Sequence, residues 1–206
     1  MKKLFEKFLE KRKVDIIIAV LRLVDQVGVS GVTTKRIARE VGVVEGALYK
    51  HFNSKHEIFH RLLEVAEMQL RDKFAEMDER RLAPDQWLEG LFDYVVRYLE
   101  EFPGLYRIVF SDALYAEDND LFWRFKTVTY ELKDRAEQAI RSGAEAGLFR
   151  SGADPATWSI LYLGMVHTSF TLWSIFEGRA RRLSEVAQPL FAEYMNSLRR
   201  RREDET

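Results

Sequence analysis

Apolar residues return every three or four positions along most of this chain, and no stretch sustains a two-residue alternation. The pattern predicts an all-α protein. Ile17, Val20, Leu21, Val24 and Val27 form one stripe and predict a helix from Val14 to Val27, stopped by Gly28. Ile37, Ala38 and Val41 predict a short second helix that ends at Gly42, where a glycine adopts positive φ at little cost. A third short helix runs from Glu45 to about His51, with Leu48 and Phe52 one turn apart and packing back on the second. Ser54 and Glu57 have the spacing of a capping box, in which each side chain satisfies the other's backbone N–H. They predict the start of a long helix from Lys55 to about Met77, with Ile58, Leu62, Val65 and Leu70 inward.

Helical spacing continues downstream. Pro84 suits a first turn, and Trp87, Leu91, Tyr94, Val95, Tyr98 and Leu99 make a stripe that ends at Phe102-Pro103. Shorter and longer helices are predicted over Leu105 to Tyr115 and Asp118 to Ala146. Asp154-Pro155 opens a helix from Ala156 to Phe176, and Ser184 caps a last one that reaches about Arg200, with Pro189 early in it as a kink or a delayed start. The helix from Ala156 carries aromatic and aliphatic residues on every side and no formal charge before Glu177. A helix that is apolar all round must be covered all round, and a second copy of the chain is the natural cover. We therefore expect a homodimer through this helix and the last one. His167 stands alone among those apolar residues, either as a hydrogen-bonded core histidine or as a polar contact in a ligand cavity.

The first residues are less determinate. Leu4, Phe5, Phe8 and Leu9 repeat one turn apart among six basic residues before Asp15. They suit a helical extension, a basic arm on DNA or a membrane-surface helix. The extension is the reading preferred here.

Residues 31–55 carry the most chemistry. Two short helices joined by a glycine turn, the second exposed, have the form of a DNA-reading helix-turn-helix. The segment resembles the TetR family of transcriptional regulators. The resemblance rests on Thr33-Thr34, Ile37-Ala38, Gly42-Val43, Gly46, Leu48-Tyr49, His51-Phe52 and Lys55. The Glu-Phe-Pro-Gly-Leu-Tyr run at 101–106 and the run from Gly147 to Pro155 also resemble parts of that family's C-terminal domain. The resemblance implies DNA contacts at Tyr49, Lys50, His51 and Lys55. Thr34 and Lys35 begin the first motif helix, whose free N–H groups suit a phosphate, with Thr33 as its cap. Gly46 and Ala47 are small enough for the helix to sit deep in a major groove, and Ala47 suits a thymine methyl. One departure stands out: the family usually has a serine where this chain has Val44. Valine neither caps a helix nor hydrogen-bonds a phosphate.

The resemblance further implies a near-palindromic DNA duplex as partner. It also implies a small, often lipophilic effector in a pocket among the middle helices. Tyr106, Phe110, Trp123 and His167 are the candidates for lining it. The expected organisation is a DNA-binding domain over 1–54 and a helical ligand-binding and dimerisation domain over 55–206, linked by the helix from Lys55.

Charge supports that division. The net charge is −1, but residues 1–63 hold thirteen Lys and Arg against seven Asp and Glu, while the remainder holds 19 against 26. A basic head on an acidic body suits a polyanionic partner. The chain has no cysteine, which excludes disulfides and thiolate chemistry and is most economically read as a reducing cytoplasm. No run of about 20 apolar residues suits a bilayer span. No nucleophile with a base, phosphate-cradling glycine loop or metal-ligand set marks an enzyme, so neither a cofactor nor a metal is expected. His56 and His60 share helical spacing but lack further ligands.

Overall fold

The computed structural model describes residues 2–111, 119–177 and 180–199. The fold is all-α. The helices of the described residues are α1 (Lys2–Glu6), α2 (Lys11–Val27), α3 (Thr34–Val41), α4 (Glu45–Leu48) and α5 (Lys55–Glu79). They continue as α6 (Pro84–Glu101), α7 (Pro103–Val109), α8 (Asn119–Glu145), α9 (Pro155–Leu172) and α10 (Leu183–Leu198). A π-helical turn, Trp173–Glu177, extends α9. The sole β pairing among the described residues is an isolated bridge between Phe149 and Arg199. The chain groups into two compact units, one of residues 1–74 with 101–128, the other of 75–100 with 129–206.

In the first unit α2 packs on α1, α3 and α7. Being covered by three neighbours explains why Ile16, Ile18 and Ala19 are buried beside the predicted stripe of Ile17, Val20, Leu21 and Val24. Val27 is the exception, since it is largely exposed at the helix end. Gly28 (φ 73°) closes α2, and its N–H donates to the Val24 carbonyl at 2.9 Å. The helix starts at Lys11, three residues before the sequence pattern suggests.

The N-terminal segment is not a continuous extension of α2. It forms the separate helix α1 and is tied down by tertiary contacts. Phe5 is buried edge-on against Phe102, with ring centroids 5.2 Å apart. The Gln69 amide donates to the Leu4 carbonyl at 2.8 Å, and Arg61 donates to the Phe8 carbonyl at 3.2 Å. Lys7 pairs with Asp72. Helix α7 lies so close to α2 that a Cβ on Gly104 would stand 2.1 Å from the Leu21 carbonyl oxygen. The predicted helix over Leu105 to Tyr115 is shorter than expected, ending at Val109, and Tyr115 itself lies outside the described residues.

Helix α5 begins where expected, but its cap is rearranged. The Glu57 N–H donates to the Ser54 hydroxyl at 3.1 Å, as in a capping box. The Glu57 carboxylate, however, accepts from the backbone and side-chain N–H groups of Asn53, at 2.6 and 2.9 Å, rather than from Ser54.

In the second unit α6 buries Trp87, Leu88, Leu91, Phe92, Val96 and Leu99. Tyr94, Val95 and Tyr98 of the predicted stripe are half-buried. Phe92 stacks on Phe191 with centroids 4.5 Å apart. The Tyr162 hydroxyl donates to the Leu88 carbonyl at 2.8 Å, and that of Tyr194 to the Trp158 carbonyl at 2.9 Å. Burial raises both phenol pKa values, so both remain protonated donors. Tyr162→Phe removes that donor while the Leu88 carbonyl keeps its helical N–H partner, and should cost about 0.5–1.5 kcal/mol. A lower urea midpoint at unchanged slope is the expected observation.

Asp154 caps α9 as expected, accepting from the Thr157 N–H at 2.9 Å. Ser184 does not cap α10. The helix begins one residue earlier, and the Ser184 N–H instead donates to the Glu100 carboxylate of α6 at 3.0 Å. Helix α9 is covered on one side by α10. Its other side is open in the single chain, with Ile160 60% and Ile175 66% exposed and Leu161 and Leu172 also at the surface.

Candidate nucleic-acid interface

Local chemistry builds the segment from α3 to α5. Thr33 is extended, and its hydroxyl accepts from the Arg36 N–H at 3.2 Å, which caps α3. Ile37 and Ala38 turn inward, and Lys35, Arg36 and Arg39 remain exposed. Gly42 takes the left-handed conformation (φ 74°, ψ 38°) that a β-carbon disfavours, and the Val43 N–H closes the helix end on the Ala38 carbonyl at 2.9 Å. Loss of the α3 cap in Thr33→Ala should cost about 1 kcal/mol, read as a lower melting temperature.

After this turn Val44 is extended (φ −74°, ψ 147°) and makes no side-chain cap. Helix α4 is a single turn, shorter than the predicted span to His51. The chain nonetheless stays coiled, since the Phe52 N–H donates to the Leu48 carbonyl at 3.0 Å. Leu48 and Phe52 are the buried anchors. Opposite them Val44, Glu45, Gly46, Tyr49 and Lys50 are exposed. A Cβ on Gly46 would meet nothing within 4 Å, so the packing of the chain itself does not require a glycine there.

The candidate DNA-binding residues are thus placed unequally. Tyr49, at 51% exposure, and Lys50 project from the α4 face, and Gly46 lies bare between them and Val44. Ala47 and His51 are half-buried. Lys35 is exposed on α3, and Thr34 donates its hydroxyl to the Glu45 carboxylate. Lys55 lies at the start of α5 with its ammonium 6.0 Å from the Phe59 ring centre. Nothing in the sequence marks the Thr34–Glu45 bond, because it depends on how α3 and α4 cross.

The candidate effector residues divide. Tyr106 and Phe110 come together with ring centroids 4.5 Å apart, and Phe125 meets Phe110 edge-on at 5.6 Å. Trp123 is exposed on α8 with the Lys126 ammonium 4.4 Å from its ring centre. His167 belongs to the other unit and is exposed on α9. Among the described residues no His, Asp or Glu cluster could hold a metal ion, and no helix is long and apolar enough to cross a membrane.

A left-handed glycine turn between two short helices, the second with a projecting polar face, defines a helix-turn-helix DNA-binding protein. The family of bacterial regulatory proteins known as tetR matches residues 16–62, which span α2 to the first part of α5. The chain is 32% identical over 146 residues to the nucleoid occlusion factor SlmA of Marinobacter nauticus, covering 71% of this chain and 73% of that protein. It belongs to the TetR family and is a DNA-binding transcriptional regulator. The ketosteroid transcriptional regulator KstR2 of Mycobacterium tuberculosis shares the fold with a TM-score of 0.81 at 19% identity, over 94% of this chain and 97% of that one. The regulator FadR from Bacillus subtilis, solved with stearoyl-CoA, has a TM-score of 0.71 at 15% identity, over 89% of this chain and 98% of that one.

Proposed function

We propose that this regulator is a homodimeric repressor released from a near-palindromic operator by a small lipophilic effector. The observation that carries the reading is the pairing of two open surfaces. One is the α4 face of Tyr49 and Lys50, the other the apolar face of α9. An isologous dimer through α9 and α10 covers the second surface and presents two copies of the first to successive major grooves, about 34–36 Å apart. In this reading residues 1–54 read DNA, 55–206 hold the effector and the partner, and the protein acts in the cytoplasm.

Tyr49, Lys50, Lys35 and Lys55 supply DNA contacts from the sides, Gly46 and Ala47 permit close approach, and Thr34 and His51 border the groove. Lys55→Ala should weaken binding to all duplexes alike and reduce the salt slope by about one unit, as loss of one phosphate contact does. Filter binding at several salt concentrations checks this. An unchanged slope removes Lys55 from the interface.

The effector's place in this reading is the aromatic cluster of Tyr106, Phe110 and Phe125, with Trp123 two positions before Phe125 on α8. His167 and α9 then serve the partner face. Support for an acyl-CoA comes from the FadR neighbour with stearoyl-CoA. The cluster also has a short mechanical path to the head, because α7 carries Tyr106, ends just before Phe110 and lies on α2 through Gly104. An effector that favours one position of α7 shifts DNA affinity by its differential binding energy, typically about 1–3 kcal/mol or roughly 5–150-fold.

A second reading is a constitutive DNA-binding protein that answers to no effector. Operator selection from random duplexes, followed by DNA release with fatty acyl-CoA esters, fatty acids and aromatic compounds, separates the two. Compounds that raise the melting temperature and release DNA support the repressor. Compounds that bind without changing DNA affinity support the constitutive factor.

A further inference from the structure

Val44 is the most exposed large apolar side chain among the described residues, at 76%, and it immediately precedes α4. Its position is costly in two ways. A polar residue there would cap α4, and valine does not. The side chain is also left in water while its neighbours on α4 are polar or bare. Burial in the chain is not the reason for it, because Val44 is 76% exposed whereas Leu48 and Phe52 are buried.

The neighbours narrow what it could meet. Residues at the N-terminal end of a recognition helix are those that reach base edges. Here Glu45 is tied back to the Thr34 hydroxyl, and Gly46 has no side chain. Val44 is therefore the first side chain to project from that end of the reading face. It cannot hydrogen-bond a phosphate or a base. In a major groove the one apolar feature of a base edge is the C5-methyl group of thymine.

We propose that Val44 is a specificity-determining residue that selects a thymine in each half-site by packing on its methyl group. The inference rests on α4 being the DNA-reading helix. It adds a readout that serine at this position would not provide, and predicts an operator with thymine fixed at one position near the N-terminal end of each α4.

The test uses the full chain and the operator selected from random duplexes. Each thymine is replaced singly by deoxyuridine, which removes only the methyl group. One thymine per half-site should lose about fourfold in affinity, the worth of one buried methyl, and about fifteenfold when both half-sites are changed. Val44→Ala, checked for an unchanged melting temperature, should bind the thymine and deoxyuridine operators equally. Val44→Ser should do the same even if its new cap tightens binding to every duplex. If no deoxyuridine replacement weakens the parent, or if Val44→Ala keeps the same loss at the same thymine, the proposal is overturned while α4 remains the reader. If the parent selects no duplex, or Tyr49→Ala binds like the parent, the reading of α4 fails and the proposal falls with it.

Discussion

Gly104→Ala is expected to lower the melting temperature by about 6–12 °C, since a methyl forced against backbone costs about 3 kcal/mol and a chain of this size loses ~2–4 °C per kcal/mol. The new Cβ would lie 2.1 Å from the Leu21 carbonyl oxygen and 2.9 Å from its carbonyl carbon. Both atoms belong to the backbone of α2, which the surrounding core holds in place, so no side chain can rotate away to make room. Either α7 moves off α2 or the carbonyl leaves its helical hydrogen bond. The Arg107–Asp25 pair, 3.6 Å apart between the same two helices, would separate with it. Calorimetry checks the shift, with Gly46→Ala as the contrast. That glycine faces open space, so its alanine variant should melt within about 2 °C of the parent, as surface substitutions do, while binding DNA less well. A Gly104→Ala protein that melts with the parent would mean that α7 does not touch α2 as described. It would also remove the path by which α7 could carry an effector's influence to the head.

Charge on the open face of α9 should have the other large effect. Ile160→Glu or Ile175→Glu places a carboxylate where the dimer reading requires apolar contact. By two-fold symmetry each substitution enters the interface twice. At about 3 kcal/mol for each uncompensated buried charge, the dissociation constant of the dimer rises by roughly four powers of ten. Light scattering at micromolar concentration should give about twice the 24.2 kDa chain mass for the parent, and the single-chain mass for either variant. Both residues are already solvated in the single chain, so the helical circular dichroism of the variants should persist. Binding to a palindromic operator should fall with dimerisation, since one head alone forfeits the second half-site. A folded monomeric parent would sink the dimer and the half-site spacing together. A variant that remains dimeric would place the interface elsewhere.

The helix-turn-helix was legible from the chain because every cue in it is local. A threonine accepting from the N–H three residues on, a glycine at φ 74° and a leucine one turn before a phenylalanine each act within a few positions. The starts of α5 and α9 were legible for the same reason. Periodicity also identified helices throughout the chain, because an amphipathic stripe needs only the 3.6-residue repeat. It does not say what lies against the stripe.

Where a distant residue competes for the same hydrogen bond or the same space, only the tertiary structure decided. Glu100 meets the Ser184 N–H from 84 positions away, at a helix start where serine alone suggested the cap. Phe5 finds Phe102, and this folds the N-terminal segment back as a separate helix rather than leaving it as an extension of α2. Gly104 falls between two predicted helices in the sequence, and only the approach of α2 shows that its missing side chain is a packing requirement. The sequence by itself determined an all-α chain with a DNA-reading motif near its N-terminus, because backbone capping and hydrophobic period are properties of neighbours along the chain. The tertiary structure alone determined that α9 keeps one apolar face open, that His167 lies on the surface and that Val44 projects from the reading face. Exposure depends on which elements cover a residue, and that is a property of neighbours in space.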